Sequence, residues 1–406
     1  MLSRKWFQVS LLVGVQLLGI ALWMSGSAVV PQLAGEWGLT TSQKSWMTMT
    51  VQLGFVVGAA LSAVLNLADR MPARMLFASS AALGGIFNAA IPLLDPTPNV
   101  ALALRFLSGV TLAGVYPPGM KLVASWCLRD RGLGIGLLVA AVAFGKAVPH
   151  GLNAIPWFGG EGGMPPWRVV MWATSGMSFL AAIAAAALVR SGPHLARTAP
   201  FDIRFAVRAL SHRPTRLANF GYLGHMWELY AVWVWVPMML IASYQAAGYG
   251  TLSARAAGFA VLAMGAPGSI VAGILADRVG RTTVAAGALA ISGVCCGLAG
   301  LFVDQPVILT ALCLVWGAAV VADSAQFSAA VSELSDPRYV GTALTVQTCL
   351  GFLLTLLTIG LLPIGVERLG WSGVFPILAL GPAFGIASLL ALRRDPESVK
   401  MASGKR

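Results

Sequence analysis

His225 and Glu228 stand three residues apart in the stretch GHMWELYAVWVWVP, which is otherwise aromatic and aliphatic. On a helix, residues three apart share one face. A carboxylate shielded from water can exchange a proton near neutral pH, because desolvation disfavours its charged form. Glu228 is therefore a candidate proton carrier, with His225 either tuning it or binding substrate. The alternative is a polar pair satisfied between helices. Other ionisable residues share this apolar setting: Arg105, Lys146 and His150 in the first half of the chain, Asp323 in the second. At the centre of a membrane helix an Asp, Lys or Arg costs about 2.5–3.5 kcal/mol on insertion scales, so each is a functional candidate. Cations gather in one half and carboxylates in the other. A site between the halves would let a cationic side chain hold an anion while a carboxylate takes up a proton.

Each candidate also has a plainer reading. Arg105 could form a structural ion pair. Lys146 and His150, four apart and so on one face with Pro149 between them, could line a pore or snorkel outward. Gln16 and Trp23, seven apart on one helical face, could line a cavity or pack in the core. Tyr116 lies in GVYPPG, where paired prolines release backbone hydrogen bonds and predict a bend facing the cavity. Asp323 in ADSAQF could titrate, while Ser324 and Gln326 could simply join helices. Trp233 and Trp235 fit an interfacial aromatic belt.

The elements that must position these residues are transmembrane helices. Of 406 residues, 57% are hydrophobic and 10% charged, against roughly 25% charged in soluble domains. Twelve apolar segments of about 20 residues can be drawn, from about 8–30 to about 371–392. The first follows Arg4-Lys5 and runs too long for a signal peptide, so it reads as an uncleaved helix. The longest polar break divides the chain into 1–190, a basic linker at 191–217, and 218–406 with a short tail. Twenty of the lysines and arginines fall on one set of loops and tails, and four flank the other side. That asymmetry places both termini in the cytoplasm. It also explains the net charge of +12 without nucleic acid, for which there is no basic stripe with interleaved aromatics. Five cysteines, two of them adjacent, suggest no disulfide framework.

The halves repeat. LADR occurs at Leu67–Arg70 and again at Leu275–Arg278, and Gly109 and Gly317 share that offset of 208 residues. Two six-helix halves in one orientation follow the parallel-repeat plan of one transporter class. GILADRVGR (Gly273–Arg281) resembles the loop 8–9 signature of the major facilitator superfamily, with Asp277, Arg278, Gly280 and Arg281 in place. LNLADRMPAR resembles its loop 2–3 counterpart, keeping Asp69, Arg70 and Arg74 but departing at Leu65 and at Pro72-Ala73. RFLSG (Arg105–Gly109) resembles the arginine motif of span four. The resemblance implies an all-α membrane protein of twelve helices in two pseudo-symmetric six-helix bundles. It further implies a substrate or proton role for Arg105, and loop signatures that latch the halves together without touching substrate.

The expected function is secondary transport by alternating access, with proton-coupled movement of a small organic anion. Proton-driven efflux of amphipathic drug-like compounds is the alternative. Metal-ion transport lacks paired Met or His spacing at depth, and an intramembrane enzyme lacks HExxH, GxSxG or a P-loop. The expected chain is a monomer with no cofactor and no metal, in the inner membrane of a bacterial cell. Its partners are the bilayer, a small-molecule substrate and protons.

Overall fold

The computed structural model describes residues 2–127, 131–155, 165–195, 203–336 and 339–406. All regular structure among the described residues is helical, as hydrocarbon demands of backbone that must bond to itself. Among the described residues, eleven helical runs are long and apolar enough to cross a bilayer, and the last, Val340–Arg393, has 54 residues. At 1.5 Å per residue that run would reach about 80 Å, more than twice a hydrocarbon core. Gly370 divides it, with φ 68° and ψ 178°, a conformation that only glycine adopts readily. The run is thus two spans, and the total is the expected twelve. Span seven is longer than its apolar core. It occupies Arg213–Ala246 rather than 218–242, because Pro214 in the first turn needs no N–H partner and starts the helix early. Within the expected linker lies a short helix, Ile203–Ser211, which buries Ala206 and Ala209. Beside them Phe205 stacks on Tyr339 at 3.4 Å between centroids.

Four spans are broken at depth, span eight at Met264 between Thr251–Ala263 and Gly265–Val279. Span one passes from a helix at Leu2–Ile20 to one at Ser25–Trp37. Span four breaks between Pro98–Leu112 and Tyr116–Trp126, where Pro117 and Pro118 occupy the first turn of the new helix. Span ten breaks at Asp323, between Pro306–Ala322 and Ser324–Leu334. Each break frees carbonyl groups that protein must satisfy.

Elsewhere helices meet with no side chain between them. A Cβ at Gly58 or Gly109 would strike the main chain of Val110 or Val51, which joins span two to span four. Spans eight and ten repeat the seam, with Gly268 against Ala318 and Gly317 against Val261. The repeat legible in the sequence is therefore a repeat of close backbone packing, the small-residue mode by which membrane helices approach. The two sets of spans touch where Thr355 Oγ1 donates to Gln52 Oε1 at 2.6 Å, joining spans eleven and two. Span five rests on span eight, with Phe144 edge-on to Phe259 at 6.0 Å.

Candidate functional site

Arg105 is wholly buried and holds the break in span one. Its Nη1 donates to Leu22 O and Ser25 Oγ, both at 2.9 Å, and its Nη2 to Trp23 O at 2.7 Å. Longer bonds at 3.4 Å reach Met47 O on span two and Asn88 Oδ1 on span three. Asn88 also binds Ser25, Thr174 and Ser175, so four spans converge on one guanidinium. A side chain at Gly26 would press on Arg105 Nε at 2.7 Å. No carboxylate pairs with Arg105 among the described residues. Its partners are carbonyl, hydroxyl and amide oxygens, in place of the ion pair suggested by sequence.

The second half carries two carboxylates in separate nests. Glu228 Oε2 accepts from Ser292 Oγ at 2.8 Å and Cys296 Sγ at 3.3 Å on span nine. Trp316 Nε1 in turn donates to Ser292 Oγ at 3.0 Å, while the other carboxylate oxygen, Oε1, is buried without a partner. His225 turns to span ten instead. Its Nδ1 lies 2.8 Å from Asp323 Oδ1, close but not aligned as a hydrogen bond, and its Nε2 is 2.9 Å from Ser324 Oγ. Pairing of His225 with Glu228 is thus corrected. Three residues along a helix leave side chains about 60° apart, enough to engage different neighbours.

Lys146 lies where the two sets of spans meet. It is 5% exposed, and its ammonium sits 4.1 Å from the Trp23 ring centroid, 4.7 Å from Tyr230 and 4.8 Å from Trp233. Its Nζ also donates to Tyr230 OH. Phe55 and Phe352 close the group, 4.9 Å and 5.2 Å from Trp23 between centroids. Spans one, two, five, seven and eleven all contribute. No carboxylate pairs with Lys146 among the described residues, and the indole N–H groups of Trp23 and Trp233 are buried without partners. Attraction of a cation to aromatic faces is worth about 2 kcal/mol when desolvated, less than burying a charge costs. An arriving carboxylate would supply the missing counter-charge. One turn along, His150 also has a buried ring nitrogen, Nε2, without a partner. Trp233 is part of this cage, and Trp235 donates to Ile359 O at 3.2 Å; neither forms the interfacial belt expected from sequence.

Gln16 is buried against Gly119 at the break of span four, and Tyr116, half-buried, begins that helix segment. The signature contacts seen among the described residues fall within one set of spans. Arg281 forks onto Glu333, Nη2 to Oε1 at 2.7 Å and Nε to Oε2 at 2.9 Å, while Asp277 lies 3.9 Å from Arg281 and is half-exposed. Arg278 and Arg70 are exposed, and Arg74 donates to Val189 O at 3.5 Å. The Asp69 side chain lies outside the described residues. Gly280, at φ 100°, has the backbone of Lys405 and Arg406 against its Cα, and Ala402 N donates to Glu333 Oε2 at 3.1 Å. Farther along this tail Glu397 is held below the usual carboxylate range, first by its hydrogen bond from Lys400 and then by His212. Glu333→Gln removes the fork's charge. It is expected to speed tryptic cleavage at Lys400 and Lys405 about tenfold, by raising the population of undocked tail, with little change in Tm. An unchanged cleavage rate would mean that the tail is held elsewhere.

Sequence reading missed Tyr230, Phe55, Phe352, Asn88, Ser292, Cys296 and Glu333. One usable signal was the i, i+4 spacing of Ser292 and Cys296, two small polar groups on one face of an apolar helix.

Comparison with known proteins agrees with this architecture. The family model of the Major Facilitator Superfamily matches residues 11–238, more than half of the chain. The niacin transporter NiaP of Acinetobacter baylyi is 24% identical over 326 residues, covering 71% of this chain and 70% of that protein. The 3-(3-hydroxy-phenyl)propionate transporter of Escherichia coli is 30% identical over 291 residues, and the match spans 68% of this chain and 65% of that one. A chloramphenicol resistance protein of Streptomyces lividans is 26% identical over 408 residues, covering 95% and 98%.

Proposed function

The chain belongs to the Major Facilitator Superfamily, and from that premise we propose that it carries small aromatic monocarboxylates, coupled to protons, by alternating access. That it is a multi-pass membrane transporter and no enzyme follows from the family and its relatives. The finer reading rests on one observation: Lys146 is a buried ammonium with three aromatic faces around it and no carboxylate partner among the described residues. A planar acid complements that arrangement, its ring against aromatic faces and its carboxylate on the ammonium. Two relatives named as transporters of niacin and of 3-(3-hydroxy-phenyl)propionate support the class. In this reading the carrier works as a monomer in a bacterial inner membrane with both termini cytoplasmic, as the loop charges favour. The bundles are residues 1–190 and 218–406, with 191–217 as linker.

Glu228 is the proposed proton carrier, since one carboxylate oxygen has no partner among the described residues and could hold a proton. The Asp323–His225 nest is the second candidate. In proteoliposomes with an imposed pH gradient, Glu228→Gln is expected to abolish accumulation of a labelled aromatic acid and to keep exchange without net proton movement. Wild-type accumulation in that variant would move the role to Asp323.

A second reading, proton-driven efflux of an uncharged amphiphile, is favoured by the nearly full-length match to a chloramphenicol resistance protein. Saturable binding of neutral aromatic compounds that is indifferent to Lys146 would favour it.

A further inference from the structure

A buried hydrogen-bonding group almost always finds a partner, and an exception calls for a reason. Spans one and eleven each present a glutamine whose whole amide is orphaned. Gln16 and Gln347 are 0% and 1% exposed, and among the described residues neither Nε2 nor Oε1 of either has a partner. Gln16 Oε1 lies against the bare backbone of Gly119, where a Cβ would collide with it. Gln347 stands one turn before Gly351, and the missing side chain there leaves room for the Tyr222 ring and Met226. The Tyr222 phenol is within electrostatic reach of Tyr116, and that of Tyr230 within reach of both.

These groups lie on spans that also build the Lys146 cage. Tyr222 precedes Tyr230 by eight residues on one unbroken helix, two turns or about 12 Å, and Gln16 precedes Trp23 by seven across the break of span one. On spans one, seven and eleven the amide and phenol groups therefore stand toward one end and the cage members Trp23, Tyr230 and Phe352 toward the other. One end holds an ammonium with two unpartnered indole N–H groups. The other holds neutral amides and phenols. An amide both donates and accepts, which suits a hydroxyl or a ring nitrogen. A second carboxylate there would be buried without a counter-charge.

Building on the anion-carrier reading, we infer that Gln16 and Gln347 recognise a neutral hydrogen-bonding group on the substrate, a hydroxyl or ring nitrogen, at the end opposite its carboxylate. They are specificity-determining residues. An acid lacking that group leaves the amides unpaired, which is why a site built for a polar group rejects an analogue without it.

The test is calorimetric binding to the purified full-length protein of three probes: 3-phenylpropionate, its 3-hydroxyphenyl analogue, and the analogue with a ring carboxylate in place of the hydroxyl. The hydroxylated acid is expected to bind at least about tenfold more tightly than the unsubstituted one, and the dicarboxylate not measurably. In Gln16→Leu and Gln347→Leu, each checked for a cooperative melt, the ratio of the first two dissociation constants should shrink to within about threefold. Equal affinities in the wild type, with both lost in Lys146→Met, would sink this inference and leave the anion carrier standing. So would a preference that survives both leucine variants. If neither acid binds, or if binding survives Lys146→Met, the anion-carrier reading fails and the inference goes with it.

Discussion

Lys146→Met is expected to lower affinity for aromatic monocarboxylates at least about a hundredfold, because the carboxylate would then enter a buried region with no cation to meet it. Methionine is the right probe. Its unbranched side chain approximates the lysine stem, and its thioether packs well on aromatic rings, so the contacts with Trp23, Tyr230 and Trp233 can persist without the charge. Tm should accordingly stay close to wild type or rise, since a buried unpaired cation has been removed. Lys146→Arg keeps the charge but swaps a compact ammonium for a planar fork, and partial binding is expected. The measurement is titration calorimetry with a matched melt. Unchanged affinity in Lys146→Met would remove the ammonium from the site and turn attention to efflux of uncharged compounds.

Arg105→Gln should behave in the opposite way, as a stability variant. The guanidinium occupies the carbonyls of Leu22 and Trp23 at the break of span one, together with Ser25 and Asn88. Truncation strands these buried acceptors, and by analogy with breaking a buried charged pair the loss is about 3–5 kcal/mol. Thermal denaturation and yield from detergent should both fall sharply, while whatever protein remains folded should bind the acid as wild type does. Arg105→Lys can still donate to some of these oxygens and should fall between. Gly26→Ala offers an independent approach to the same knot. Its Cβ would displace Arg105 Nε, and overpacking of this kind costs about 1–3 kcal/mol. Normal melting of Arg105→Gln combined with lost binding would restore the substrate role that the arginine motif implies in sequence.

Helix count and internal repeat were legible because both are local properties of the chain. Twenty apolar residues announce a span wherever they end up, and Gly109 and Gly317 could be matched by offset before their partners Val51 and Val261 were known. The polar side chains were legible as candidates but not in their roles. Arg105 finds carbonyls that exist only because span one breaks some 80 residues earlier, and nothing in RFLSG predicts that break. Lys146 could be flagged as costly, yet its cage is drawn from spans one and seven, which no spacing on span five encodes. His225 and Glu228 were rightly placed close together on one helix. The direction each takes depends on whether span nine or span ten offers the better partner, and that is a tertiary choice. The docked tail was invisible, since residues 395–406 carry neither periodicity nor a motif.

The glycine seams distribute compliance unevenly through the molecule. Between spans two and four, and again between eight and ten, carbonyl groups rest on bare Cα atoms. No side-chain layer lies there that could change rotamer, so even a small slide meets main chain. Around Lys146, by contrast, the contacts between the two sets of spans are rings and long chains: Trp23, Phe55, Tyr230 and Phe352. Such side chains have discrete alternative rotamers and can re-seat at low elastic cost. The helix pairs act as stiff struts and the aromatic layer as the hinge stock. A rearrangement between the two sets of spans at this layer would draw on ring rotamers, with little bending of the helices that frame them.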